Sequence, residues 1–397
     1  MMRTGVWLVG ARGSVAATTI AGALAVRAGA ADRVGCVADL PGPDRARAPG
    51  IGDLVFGGHD VGGPPLPKRV GMLAEGGVVP SALPGLLEEE LAAVEARIRP
   101  GAARRLGRGQ REAAARIEED LRRFREDEGL DRAVVVDVSS TEPPLDPDGP
   151  EAAATASADL LEEALDRGAA PLPASSLYAY AAFRAGCPVA SFTPSPGPRL
   201  PALEETALRE GLCWAGSDGK TGETLLKSAL APMFAQRALR VRSWSSVNLL
   251  GGGDGETLAD PANAGSKTAS KGQGLRSMLG NEVGGPLHID YVPDMGDFKT
   301  AWDHVSFEGF LGVRMSLQFT WAGCDSALAA PLVLDIARLT ARAHEAGETG
   351  PLAALGFFFK DPAGCSEHAL APQWDALVEW CARLGDADTA PAATGED

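Results

Sequence analysis

Apolar runs and apolar periodicity divide the chain into two styles. In the first, short apolar runs ended by glycine or a small polar residue alternate with stretches of helical period. TGVWLVG (4–10) is such a run and reads as a buried strand. SVAATTIAGALAVRAG (14–29) follows as a helix that Ser14 can cap and Gly29 can stop. RVGCVAD (33–39) and IGDLVFGGHDV (51–61) are further strand candidates, and RAVVVDVSST (132–141) is a second buried strand. Residues 84–99 and 111–128 predict two charged helices joined by an arginine-rich loop. ADLLEEALDRG (158–168) and LYAYAAFRAG (177–186) read as helices, the second leading into the strand and loop CPVASFTPS (187–195). Strands alternating with helices predict an α/β fold with a mostly parallel sheet.

From about residue 225 the style changes. HIDYVP (288–293) and VRMSLQFTWAG (313–323) alternate as strands of a more open sheet do, and SALAAPLVLDIARLTARAHEAG (326–347) predicts one long helix. The tail from Asp386, DADTAPAATGED, has the composition of a disordered segment. No internal repeat stands out.

Composition narrows the function classes. With 397 residues there is room for two domains and a sizeable core. A net charge of −16 argues against general nucleic-acid binding, so any positive site has to be local. The cysteines Cys36, Cys187, Cys213, Cys324, Cys365 and Cys381 form no CxxC pair, which fits reduced thiols in a cytoplasm. The histidines form no HExxH, so no dedicated metal site is expected. No apolar stretch approaches the ~18 residues of a membrane span, and the N-terminal apolar run is too short for a signal peptide. The arginine-rich segment 104–111 reads as part of a solvated helix hairpin.

Two features carry candidate chemistry. GARGSV (10–15) sits between the first strand and the first helix, where a glycine turn and a helix N-terminus can meet a pyrophosphate. The spacing is not the full GxGxxG fingerprint. The acidic residue that should follow, about 20 residues on, is Asp39 or, at the end of a better-defined strand, Asp60. The second feature is the lysines, which are scarce here. GSKTASKGQG (265–274) sets Lys267 and Lys271 four apart, and the nearest upstream acid is Asp260. WAGSDGKTGETLLKSAL (214–230) carries Asp218, Lys220 and Lys227, and NLLGGGDGETL (248–258) places three glycines before Asp254. DYVPDMGDFKTAWD (290–303) holds Asp297 and Lys299, and Lys360 lies in GFFFKDP (356–362). Clustered lysines bind phosphate and stabilise oxyanions or enolates, and crowded or desolvated ones move protons. Taken singly, each also reads as a solvated loop lysine.

In this order and spacing the blocks resemble the myo-inositol-1-phosphate synthase family. The resemblance runs from about residue 4 to 365 and is strongest over 174–335. SKTASK is similar to the family's SKxxSK, AGSDGKTGETLLKS to its GDDxKSGQTxxKS, and YVPDMGDFKTAWD to its YxxxxGDSKxAxD. CDSALAAPLVLDIARL and FFFKDP resemble two further family segments. The resemblance implies a Rossmann-type NAD-binding domain over 1–224, an inserted α+β catalytic and oligomerisation domain over 225–327, and a return to the first domain over 328–397. It also implies a homotetramer, with the inserted domain supplying the subunit contacts.

It further implies a reaction. A hexose 6-phosphate, expected to be D-glucose 6-phosphate, would be oxidised by NAD, enolised, closed by an intramolecular aldol step and reduced again to 1D-myo-inositol 3-phosphate. By resemblance the catalytic set is Lys267, Lys271, Lys299, Lys360, Asp218, Lys220 and Asp297. Lys267 would transfer the proton at the C5 oxygen. Lys299, oriented by Asp297, would serve the enolate oxygen, and Lys271 with Lys360 the aldol oxyanion and phosphate. The implied NAD contacts are Gly10, Arg12, Gly13, Ser14, Val15, Asp60, Ser140, Thr141, Gly253, Asp254, Asp325 and Ser326. The resemblance favours Asp60 over Asp39 at the adenosine ribose.

Departures keep alternatives open. The family's GNNDG is GGGDG here, its GSPQN loop corresponds to a stretch with Ser195 and Pro196, and the tryptophan of its GWD is His59. These changes fit the usual product. They also fit a paralogue that closes fructose 6-phosphate into a five-membered cyclitol phosphate. A simple NAD dehydrogenase would release NADH. A non-catalytic NAD- or sugar-phosphate-binding protein is the reading of another class, and the retained lysines and aspartates speak against it.

Overall fold

The structure, a computed structural model, describes residues 3–102, 109–252, 275, 277–279 and 283–387. Seven strands form the first sheet: β1 (Thr4–Val9), β2 (Leu54–Asp60), β3 (Ile98–Pro100), β4 (Arg132–Asp137), β5 (Val189–Ser191), β6 (Cys213–Gly216) and, from far along the chain, β11 (Gly350–Pro351). Their order is β11-β6-β5-β4-β1-β2-β3, every pair parallel. Between β6 and β11 the chain builds a second sheet from β7 (Arg240–Leu250), β8 (Leu287–Tyr291), β9 (Phe298–Glu308) and β10 (Arg314–Cys324). Its order is β10-β9-β7-β8, antiparallel except between β7 and β8.

The apolar runs are continuous because helices cover both faces of the first sheet, so both side-chain parities are buried. Val6 and Leu8 of β1 join Val134 and Val136 of β4 in one core, with the helices Ser14–Arg27 and Asp325–Glu345. Trp7, Val9, Val135 and Ala133 face the other core, with the helices Gln110–Asp127, Ala174–Arg184 and Pro201–Arg209. Among the described residues the second sheet is covered on one face only. There Ala231 and Phe234 of the helix Gly222–Gln236 meet Val241, Trp244 and Val305. On β9 the core-facing Ala301, Asp303 and Val305 are buried, while Trp302 between them is exposed.

Several local expectations change. RVGCVAD is not a strand: its end forms a 3-10 turn, Val37–Asp39. The backbone N–H groups of Val37 and Ala38 donate to the Asp335 carboxylate, so a side chain of the long helix replaces a strand ladder. The segment 84–99 is not one helix. It breaks at Leu87 into Leu83–Leu86 and Glu88–Glu95, and Ile98 then turns inward as part of the edge strand β3. Ser14 is the first helical residue rather than the cap, which is Gly13, while Gly29 stops the helix at φ +69° as expected. Residues 370–387 form a helix, Leu370–Ala387, that buries Leu377, Trp380, Cys381 and Leu384 in the first core. The expected tail thus begins inside this helix, and its remainder, 388–397, lies outside the described residues. Among the described residues no helix is long and apolar enough to cross a membrane.

Candidate active site

Strand β1 has β2 on one side and β4 on the other, so the chain changes direction across the sheet at the carboxyl ends of β1 and β4. Open α/β sheets bind ligands at such a point. Two cavities, of about 280 and 360 Å3, open here and share Gly13, Val138, Ser139 and Ser140 in their walls. The glycine loop fits tightly against this edge. Gly10 has φ +85°, and a Cβ there would stand 3.0 Å from the Ser139 backbone. At Gly58 a Cβ would stand 2.3 Å from the Leu8 carbonyl oxygen. The absent side chains let β1, β2 and the loop after β4 approach closely, as a glycine loop that meets a phosphate requires.

The larger cavity gathers residues that the resemblance assigns to the adenosine end of a dinucleotide. Gly10, Arg12, Gly13 and Asp60 line it, joined by Arg69 and Tyr178. Asp60 ends β2 and accepts hydrogen bonds from the backbone N–H of Arg12 at 2.7 Å and of Gly62 at 3.0 Å. Asp39 is excluded from this position, because its carboxylate pairs with Arg338 at 2.6 Å on the long helix. His59 lines the same cavity, with its Nδ1 accepting the Trp7 indole N–H at 2.8 Å and its Nε2 facing Asp120 at 3.1 Å. That pairing fixes the imidazole proton on Nε2. Beneath the loop, burial pushes the Asp137 carboxyl up to about 6, and its Oδ2 has no hydrogen-bond partner among the described residues.

Three helix N-termini meet at the smaller cavity. Gly13, Ser14 and Val15 begin one helix, Thr221, Glu223 and Thr224 a second, and Asp325 and Ser326 a third. In none of the three does the capping residue, Gly13, Thr221 or Cys324, bond a backbone N–H through a side chain. Uncapped N–H groups and aligned dipoles make such ends suited to phosphate and to developing oxyanions. Ser140 and Thr141 complete the wall beside the first helix.

Lys299 and Lys360 both line this cavity, and each is held by an acid. The Lys360 ammonium stands 2.7 Å from Asp218, and Lys299 stands 2.5 Å from Asp325. Asp297 was expected to orient Lys299. Instead, Lys299 pairs across the sheet with Gly323, two residues before Asp325, so the start of the long helix delivers the carboxylate. Asp297 accepts a hydrogen bond from the Ser326 hydroxyl at 3.3 Å, and Asp325 accepts one from Thr221 at 3.1 Å.

Lys220 does not line the crevice. Its ammonium donates to the Gln373 amide oxygen, lies 5.8 Å from the Phe357 ring centroid, and is lowered to about 8 by burial. Lys227 is also buried, against Glu223 and the Ser246 hydroxyl at 3.0 Å, with Asp303 at 3.7 Å. Lys267, Lys271, Gly253 and Asp254 lie outside the described residues. Sequence reasoning does not single out Glu223, Glu95, Arg69 or Tyr178. Glu223 lines the smaller cavity and could have been noticed four residues before Lys227 on a helix. Glu95, which holds Arg12, carries no local signal at all.

Comparison with known proteins follows the same blocks. The sequence profile of the family described as Myo-inositol-1-phosphate synthase matches residues 222–326. Inositol-3-phosphate synthase 1 of Bacteroides thetaiotaomicron is 33% identical over 410 residues, spanning 95% of this chain and 93% of that protein. The inositol-3-phosphate synthase of Trypanosoma brucei brucei is 32% identical over 243 residues, and the match spans less than half of that protein, 45%. A crystal structure of inositol-3-phosphate synthase from Caenorhabditis elegans shares the fold, with a TM-score of 0.86 at 22% identity over 99% of this chain and 90% of that one.

Proposed function

This chain belongs to the myo-inositol-1-phosphate synthase (inositol-3-phosphate synthase) family, and on that premise we propose that it cyclises D-glucose 6-phosphate to 1D-myo-inositol 3-phosphate, using NAD without net redox change. One observation carries this reading. Lys299 and Lys360 line the same cavity as the helix that follows the glycine loop, so cations adjoin a cofactor cradle. Bound there, NAD would supply a hydride acceptor at one stage and a hydride donor at another.

The remaining work falls to side chains. Once C5 of the substrate is a ketone, its C6 hydrogens are acidic, and the enolate can attack the C1 aldehyde. Negative charge then moves from one substrate oxygen to another, and fixed cations in a sheltered cavity stabilise it throughout. We assign Lys267 to the proton at the C5 oxygen. Lys299, oriented by Asp325, serves the enolate oxygen, and Lys271 with Lys360 serves the aldol oxyanion and the phosphate. Lys220 is a buried support behind this wall. We assign the Asp60 carboxylate, which lines the larger cavity, to the adenosine ribose hydroxyls, as in other dinucleotide folds.

The proposal extends to organisation. The NAD-binding part spans 1–224 and 328–397, and 225–327 forms an inserted catalytic and oligomerisation part. A homotetramer is supported by the face of the second sheet that no other described residue covers, with Trp302 exposed, and by Phe310 and Leu311 at the β9–β10 turn, 88% and 85% exposed. Buried, unpaired thiols at Cys36, Cys187, Cys213, Cys324 and Cys381 support a reducing, cytoplasmic setting.

Product analysis tests the reading. Purified protein with NAD is given glucose 6-phosphate or, separately, fructose 6-phosphate, and the products are read by mass and carbon NMR. A six-membered cyclitol phosphate from the aldose, with no accumulating NADH, is expected. A five-membered product from the ketose alone, or stoichiometric NADH, overturns it.

A further inference from the structure

The adenosine end of the crevice holds two guanidinium groups, an unusual feature beside a carboxylate meant for a ribose diol. Arg12 sits in the glycine loop and Arg69 on the helix Leu66–Glu75, and both line the cavity with Asp60. Cations at this place are what a 2′-phosphorylated dinucleotide requires. One of them, however, is engaged. The Arg12 Nε lies 3.1 Å from Glu95 Oε1, and its Nη2 donates to the same oxygen. Glu95 is itself anchored, with Oε2 accepting the Leu66 backbone N–H at 2.7 Å. Arg69 Nε donates to the Arg12 carbonyl at 2.9 Å, so the two arginines and the carboxylate form one cluster.

We propose that Glu95, by holding the Arg12 guanidinium in a forked ion pair, sets this site's preference for a dinucleotide with a free 2′-hydroxyl over its 2′-phosphorylated form. This rests on the NAD reading above. The argument is a charge count. Arg12 and Arg69 carry two positive charges and Asp60 and Glu95, which bond to Arg12, two negative ones, while Glu142, the other carboxylate lining the cavity, is turned to the backbone N–H groups of Ala174 and Ser175. A ribose diol meets a neutral cluster and an accepting Asp60. A 2′-phosphate of charge near −2 meets no net attraction, and it faces the Asp60 carboxylate directly. Without the charge at Glu95 the cluster is net positive, and the Arg12 fork is released in a geometry suited to phosphate. Glu95 is thus a positioning residue that acts through Arg12.

Affinities for NADH and NADPH test this by direct binding, using the fluorescence of the bound nicotinamide in the intact wild-type protein and in Glu95→Gln and Glu95→Asp. Glu95→Gln keeps an oxygen for the Leu66 N–H. It should narrow the NADPH-to-NADH Kd ratio by about tenfold, mostly by tightening NADPH, as one released Arg–phosphate contact would. Glu95→Asp should retain the wild-type ratio, and Glu95→Gln combined with Arg12→Met should restore it. An unchanged ratio in Glu95→Gln overturns the proposal, as does a narrowed ratio that survives loss of Arg12. If Glu95→Gln does not fold, Arg12→Met decides. It leaves the Glu95 charge unopposed and should widen the ratio, and equal loss of both ligands overturns the proposal. Wild-type protein that binds neither dinucleotide overturns the NAD reading, and the proposal falls with it.

Discussion

Lys360 and Asp218, 142 positions apart, are joined twice: the Lys360 ammonium lies 2.7 Å from Asp218 Oδ1, and the Lys360 backbone N–H donates to the Asp218 carbonyl at 2.7 Å. The segment that returns from the long helix therefore delivers a cation to the cavity in a fixed position. Lys360→Met keeps the stem and the backbone bond but removes the charge. Cyclitol phosphate formation should fall at least ~100-fold in kcat, the scale of one lost oxyanion donor. The thermal midpoint should change little. Steady-state assay beside thermal unfolding checks both.

Lys220 makes a stability prediction. Burial lowers its pKa from 10.5 to about 8, so the unfolded chain keeps a proton that the folded chain has released between those values. Stability from this group is lowest below pH 8 and rises with pH up to about 10.5, by at most roughly 3 kcal/mol. Denaturant titrations at pH 7, 9 and 10.5 should show wild type gaining on Lys220→Met. A constant difference between the two proteins would contradict the buried ammonium.

Asp137 predicts the opposite slope. Its folded pKa is raised from 3.8 to about 6, chiefly by burial, with Glu142 adding repulsion. Folding therefore favours the protonated acid, and stability falls as pH rises from about 4 to 6. Asp137→Asn retains an oxygen for the Ser139 N–H, which Asp137 Oδ1 accepts at 2.9 Å. Its thermal midpoint should match wild type near pH 4 and exceed it by several degrees at pH 8, as a gain of roughly 1–3 kcal/mol would produce.

Close approach at the cradle is testable at Gly58. Its Cβ would meet the Leu8 carbonyl at 2.3 Å and Ala11 Cβ at 2.7 Å. Backbone has to move, and β2 carries Asp60 while His59 O accepts the Gly10 and Ala11 N–H groups. Gly58→Ala should lose ~2 kcal/mol or more of stability and bind NADH more weakly, as an overpacked site does. Denaturant unfolding and NADH titration measure the two losses.

Some of this site could be read along the chain. TGVWLVG and RAVVVDVSST stand out because both faces of the sheet are covered and both parities are apolar. Lys299, Lys360 and Asp218 could be singled out because lysine is scarce and stands among glycine turns, whereas Asp325 is reached only through the family resemblance. What could not be read depends on register or on distant packing. Asp325 reaches Lys299 only through the pairing of Lys299 with Gly323. Asp39 is taken by Arg338, 299 positions away, which no local pattern announces. Lys220 is sealed by Gln373 on the helix Leu370–Ala387, whose apolar face reads from sequence only as one more amphipathic stretch.

The most direct test of the central claim follows one hydrogen. Glucose 6-phosphate carrying deuterium at C5 is converted with unlabelled NAD, and the product is read by mass and NMR. A borrowed and returned hydride predicts a cyclitol phosphate that keeps the label on a single ring carbon, with no labelled cofactor accumulating. Label lost to solvent, or left on reduced cofactor in proportion to product, would contradict cyclisation without net redox change.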